Sequence, residues 1–132
     1  MAHEERERKL HYDRDRERMT DHRAVLRFLV ATRARYERAT SKPAVLAIQA
    51  RLPPAIEKVR RRITRIDRWR VNSNLLGDYD VMLATLADTY PAARISFLDG
   101  DRAPLLALRA DFDRRLEAMN AWLEEAARSE DE

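Results

Sequence analysis

Basic side chains are concentrated in one stretch of the chain, residues 54–71. Seven of its side chains are arginine or lysine and only two are acidic. Guanidinium groups bind phosphate and carboxylate oxygens through paired hydrogen bonds, and arginine supplies 23 of the 26 basic residues of the chain. This stretch therefore favours the binding of an anionic partner over the making or breaking of covalent bonds.

The apolar residues around this stretch are spaced for a helix with one buried side. They recur at intervals of 4, 3, 4 and 3 residues, which is the repeat of a helix packed along a seam, and they are Leu52, Ile56, Val59, Ile63 and Ile66. Away from this seam lie the candidate anion-binding residues, which are Lys58, Arg61, Arg62, Arg65, Arg68 and Trp69. An aromatic ring among arginines can stack on a nucleobase while the arginines hold phosphates. The alternative is a solvated charged face, with Trp69 packed at the bundle edge under an arginine stem.

The last predicted helix has a second face of small residues opposite its core stripe. Small side chains at helical spacing let two backbones approach closely, so we predict an oligomer interface at Ala107, Ala110, Arg114, Ala118 and Ala121. The alternative is that alanine occurs there only because it is the best helix former.

Most catalytic and metal-binding constellations are missing from the sequence. The chain has no cysteine, and its three histidines lie in the first 22 residues without the spacing of a shared metal site. It contains no phosphate-binding glycine loop and no Gly-x-Ser-x-Gly elbow. We therefore expect no metal, no cofactor and no catalytic residue. A small helical enzyme with an arginine-lined pocket is the third alternative.

Charge is distributed unevenly along the chain. Residues 1–50 carry 12 basic and 8 acidic side chains, residues 51–71 carry 8 and 2, and residues 72–132 carry 6 and 13, so the three blocks have net charges of +4, +6 and −7. Such a chain can pair its own halves, attract an acidic partner, or do both. The expected partners are nucleic acid or an acidic protein surface, within a homo-oligomer or a larger assembly.

The helical spacing, with only two glycines in 132 residues, predicts an all-α fold. We expect an antiparallel bundle of four to five helices. Its parts are a charged N-terminal arm at 1–18 that is a frayed helix or disordered, a single domain at 19–128, and a disordered acidic tail at 129–132.

Capping residues and prolines set the predicted helix boundaries within this domain. Thr20 or Asp21 is expected to cap its first helix. Ser41 is expected to cap the next helix with Pro43 in its first turn, the pair Pro53-Pro54 to separate a short helix from the basic one, and Pro91 to stop the helix that follows.

From these observations we expect a non-catalytic binding or assembly subunit whose basic helix binds an anionic partner. Of the possible partners, nucleic acid or a nucleoprotein complex is favoured. The runner-up is a protein–protein or homo-oligomerisation module in which the basic helix pairs with acidic helices. No apolar run has the length of a membrane span, so we expect no membrane partner and a cytoplasmic location.

Overall fold

The structure is a computed structural model. It describes the backbone of residues 2–67 and 73–131 and the side chains of residues 19–66, 75–126 and 128. The helices are α1 (Ala2–Arg38), α2 (Lys42–Asp67), α3 (Ser73–Ala84), α4 (Tyr90–Leu98) and α5 (Ala103–Asp131). A π-helical turn, Thr85–Thr89, joins α3 to α4. The described part of the chain contains no strand, which confirms the all-α prediction.

One core runs through the bundle and takes side chains from every helix. Its largest fully buried members are aromatic: Tyr36 of α1, Tyr79 of α3, Tyr90 of α4 and Phe112 of α5. Tyr90 connects two of the other rings, since it stacks on Tyr36 with ring centroids 5.7 Å apart and meets the edge of Phe112 at 5.9 Å. These contacts hold α1, α4 and α5 together, because aromatic pairs add specific geometry to the apolar area that they bury.

Helix α2 runs unbroken through Pro53 and Pro54, so the predicted break there is wrong. Both prolines are exposed. The buried residues on either side keep an interval of seven through the proline pair, as Val45, Leu52, Val59 and Ile66. A single packing face therefore continues past the prolines, and its burial outweighs the backbone hydrogen bonds that they remove. At the start of α2 the prediction is confirmed, because Ser41 Oγ accepts a hydrogen bond from the Ala44 N–H at 3.3 Å.

Pro91 does not end a helix either. The chain stays helical through it, and the preceding turn widens into the π-helical turn, in which the Tyr90 N–H bonds to the Thr85 carbonyl. Because the Tyr90 N–H bonds to Thr85 instead of Leu86, and Pro91 has no N–H to offer Ala87, the Leu86 and Ala87 carbonyls lack the partners that an α-helix would give them. The Tyr36 hydroxyl donates to the Leu86 carbonyl at 2.7 Å, and Gln49 Nε2 donates to the Ala87 carbonyl at 2.8 Å.

Two further boundaries differ from the prediction. Helix α1 has a helical backbone from Ala2, so neither Thr20 nor Asp21 begins a helix. Helix α5 continues to Asp131, which includes residues 129–131 of the tail predicted to be disordered; residue 132 lies outside the described residues. Beyond Pro104 it contains neither glycine nor proline, so nothing in the sequence stops its propagation.

Candidate anion-binding interface

Helix α2 presents the candidate residues on a surface fixed by its core contacts. Val59, Ile63 and Ile66 are buried against the bundle, and Ile56 is half-buried beside them. The seam predicted from the sequence is thus confirmed. Because successive residues are about 100° apart around a helix, burying this seam turns Lys58 and Arg61 towards solvent.

Lys58 and Arg61 are the most available cations of the predicted set. Lys58 is exposed and makes no ion pair within the described residues. The Arg61 side chain is 74% exposed, and its one partner in the described structure is Glu57, one turn earlier, at 3.5 Å. An exposed pair of this kind contributes little to stability and exchanges readily with other anions. Both side chains can therefore meet an anionic partner without disturbing the bundle.

Arg62 and Arg65 have a structural partner that the sequence analysis missed. Both donate to Asp21 of α1, at 3.0 Å and 2.9 Å respectively. Asp21 is 7% exposed, so the two arginines neutralise a carboxylate at the α1–α2 contact. The set of anion-binding residues predicted from the sequence therefore includes two arginines that connect α2 to α1. The physical reason is that α1 is already helical at residue 21, which turns Asp21 towards α2 instead of leaving it as a helix cap.

Arg68 and Trp69 lie outside the described residues, so their part in the interface stays a prediction. Arg51, in contrast, is exposed on α2 and was not among the predicted residues. With Lys58 and Arg65 it forms a row at intervals of seven, and neighbours in the row are about 10 Å apart along the helix. The sequence did contain this row, because Arg51, Lys58 and Arg65 keep an interval of seven across Pro53-Pro54. It was missed because a helix break was predicted at the two prolines.

Other arginines gather in a cleft of about 260 Å³ between α1 and α5, lined by Arg33, Glu37, Arg109 and Asp113. Arg33 pairs with Asp113, and Arg109 Nε donates to Glu37 at 2.9 Å. Burial alone would raise the pKa of Glu37, but hydrogen bonds from Arg109 and Tyr90 and the positive charges of Arg109 and Arg94 lower it below its ordinary value. The charges of this cleft are therefore balanced internally, which does not support the arginine-lined pocket of an enzyme.

The five residues of the predicted oligomer interface, Ala107, Ala110, Arg114, Ala118 and Ala121, are all exposed on α5. Arg114 pairs with Asp111 of its own helix, and the described residues make no other ion pair with it.

Comparisons of the chain with protein-family models, curated proteins and solved structures find no match. Within the described residues, no helix is long and apolar enough to cross a membrane, and no group of three His, Cys, Asp or Glu side chains is placed to hold a metal ion.

Proposed function

We propose that this protein is a non-catalytic binding subunit whose α2 engages an anionic partner, with nucleic acid favoured. The observation that carries the proposal is the availability of Lys58 and Arg61, which face solvent on a helix whose opposite side is fixed in the core. The bundle does not need either cation for its own packing. Both cations are therefore free to contact something outside the chain.

Nucleic acid is favoured because the available cations follow the axis of a helix. Arg51, Lys58 and Arg61 are exposed along about 15 Å of α2. A regular line of positive charges suits the regular line of phosphates in a nucleic-acid backbone, which many proteins bind without reading the sequence. The described part of α2 offers only Glu57 as an exposed acid to oppose such binding.

The test is a titration of the full chain against a 20-base-pair duplex and a single-stranded RNA of similar length at about 50 mM salt. We expect weak binding without strong sequence preference, and an affinity that falls steeply towards 200 mM salt as counterions are released. In duplex DNA, each neutralised phosphate contributes about −0.9 to the slope of log affinity against log salt. The variant Lys58→Gln with Arg61→Gln should therefore flatten that slope by about 1.8.

The control is Arg38→Gln with Arg102→Gln, which removes the same charge from exposed positions outside α2. We leave Arg65 intact in the test variant, because its contact with Asp21 would mix binding with stability. If neither nucleic acid binds at 50 mM salt, or if the control variant weakens binding as much as the α2 variant, the proposal is wrong.

A further inference from the structure

A shallow apolar groove of about 350 Å³ runs along the outer surface of α1, lined by Arg23, Leu26, Arg27, Val30, Ala31 and Ala34. Val30, one of these lining residues, is 43% exposed. The two arginines at one end of the groove are exposed and have no ion-pair partner among the described residues. An apolar floor bordered by free cations suits a helix with small residues and acidic neighbours.

Helix α5 of the same chain has such a surface. Ala110, Ala118 and Ala121 are exposed on it, and their small side chains let another helix approach, while Arg114 on the same face pairs with Asp111 of its own helix. Glu117 and Glu124 flank these alanines, and both are exposed without an ion pair in the described structure. The apolar and charged features of α5 thus complement those of the α1 groove.

The register between α1 and α5 brings these features to the same level. Arg33 pairs with Asp113, whereas Glu37, one turn later in α1, pairs with Arg109, one turn earlier in α5. The two helices are therefore antiparallel neighbours. If the same antiparallel register extends along both helices, residues 23 and 27 of α1 lie at the same height along the helix axis as residues 123 and 119 of α5. Arg23 and Arg27 consequently share their level with Glu124 and Glu117.

We infer that two copies of this chain form a two-fold symmetric dimer in which the α1 groove of each receives α5 of the other. A two-fold axis parallel to the helices places α1 opposite α5 of the second copy and preserves the level of every residue. Arg23 then faces Glu124 of the second copy and Arg27 faces Glu117, and each contact occurs twice. The other two-fold arrangement would set α1 against α1 and bring the unpaired arginines together without an acidic partner.

The contact surface in this dimer is small. The matched features span residues 23–34 of α1 and 110–124 of α5, so the contact is at most about 22 Å long and two helix widths, or about 20 Å, across. It covers about 440 Å² on each copy, which is below the roughly 600 Å² per partner of standard specific interfaces. The dimer should consequently be weak, and its dissociation is followed at protein concentrations of about 10–300 μM.

Sedimentation equilibrium over this range, without nucleic acid, tests the inference. The natural chain should dimerise. The acidic variant, Arg23→Glu with Arg27→Glu, and the basic variant, Glu117→Arg with Glu124→Arg, should each stay monomeric because both repeated contacts become repulsive. An equimolar mixture of the two variants should form a heterodimer, since every contact then joins opposite charges. The control Lys58→Gln with Arg61→Gln should dimerise like the natural chain.

The apolar floor is tested separately with Val30→Asp. Because Val30 is exposed on the outer surface of α1, this variant should keep the melting temperature of the natural chain while weakening the dimer at least tenfold. A natural chain that is monomeric at 300 μM overturns the inference, as does a mixture of the charge variants that remains monomeric. A higher oligomer would also overturn it, because a two-fold interface closes on itself. None of these results bears on nucleic-acid binding by α2.

Discussion

Asp21 illustrates how the role of a single residue depends on the extent of its helix. At the start of a helix, an aspartate accepts hydrogen bonds from free backbone N–H groups. In the middle of α1 it faces α2 and binds Arg62 and Arg65. Because they pair with Asp21, Arg62 and Arg65 belong to a contact between two helices and not to a free anion-binding face.

The contrast between Ile63 and Arg65 gives a prediction about stability. Ile63 is buried, so Ile63→Ala should lower the free energy of unfolding by about 2–5 kcal/mol through lost burial and a cavity. The Arg65 side chain is 55% exposed, and Arg62 still pairs with Asp21 after its removal. Solvent screening should therefore keep the cost of Arg65→Ala at or below about 1 kcal/mol. Urea denaturation of both variants measures the difference, and a larger loss from Arg65→Ala would contradict the assigned seam of α2.

At this scale the sequence predicts which residues are buried better than which charges are free. Ile63 is assigned correctly because the spacing of apolar residues carries the information about the core. The partner of Arg65 lies 44 positions earlier in the chain. No local pattern reports such a contact, since it depends on the packing of α1 against α2.

At the scale of helices, prolines were the least reliable guide. The local rule that proline ends a helix failed at Pro53-Pro54, where the buried face continues, and at Pro91, where the helix widens instead. In the second case, Tyr36 and Gln49 supply donors to the two affected carbonyls from other helices. Those donors belong to α1 and α2, so the sequence around Pro91 could not have indicated them.

The hydroxyl of Tyr36 should contribute to stability, because it donates a hydrogen bond to the π-helical turn. Tyr36→Phe keeps the ring but leaves the buried Leu86 carbonyl without its donor, which should cost about 1–3 kcal/mol of unfolding free energy. Gln49→Leu is the comparison, because Gln49 and Ala87 are only half-buried and water can replace the lost donor. Its cost should be smaller than that of Tyr36→Phe in the same urea experiment. Equal stability of Tyr36→Phe and the natural chain would show that the hydroxyl does not support this turn.

For the whole molecule, the uneven charge along the sequence is partly balanced within the fold. The strongly basic block at 51–71 meets acids of both other blocks, through Arg62 and Arg65 on Asp21 and Arg60 on Asp80. Net charges of the blocks predicted that such pairing was possible, but they cannot distinguish internal pairing from binding of a partner. Only the folded arrangement shows that Lys58 and Arg61 remain available while Arg62 and Arg65 do not.

Glu37 connects three helices and should make the molecule sensitive to acid. Its carboxylate on α1 accepts hydrogen bonds from Tyr90 of α4 and Arg109 of α5, and Arg94 of α4 lies 3.7 Å away. These partners hold its pKa in the folded protein below the ordinary value of 4.5 that it has in the unfolded chain. The folded state therefore binds this proton less readily than the unfolded state. The resulting stabilisation is complete above about pH 4.5 and is lost as the pH falls towards the lowered pKa.

The variant Glu37→Gln isolates this effect. It removes the titrating group while keeping a side chain of the same shape, so its stability should be lower than that of the natural chain at neutral pH and should fall less steeply below about pH 4.5. The measurement is the free energy of unfolding by urea at about pH 7, 5, 4 and 3. The two curves should converge at the acid end, because a protonated Glu37 resembles the amide. Parallel curves would show that Glu37 does not supply acid sensitivity, and that the contact of α1 with α4 and α5 depends on the aromatic core instead.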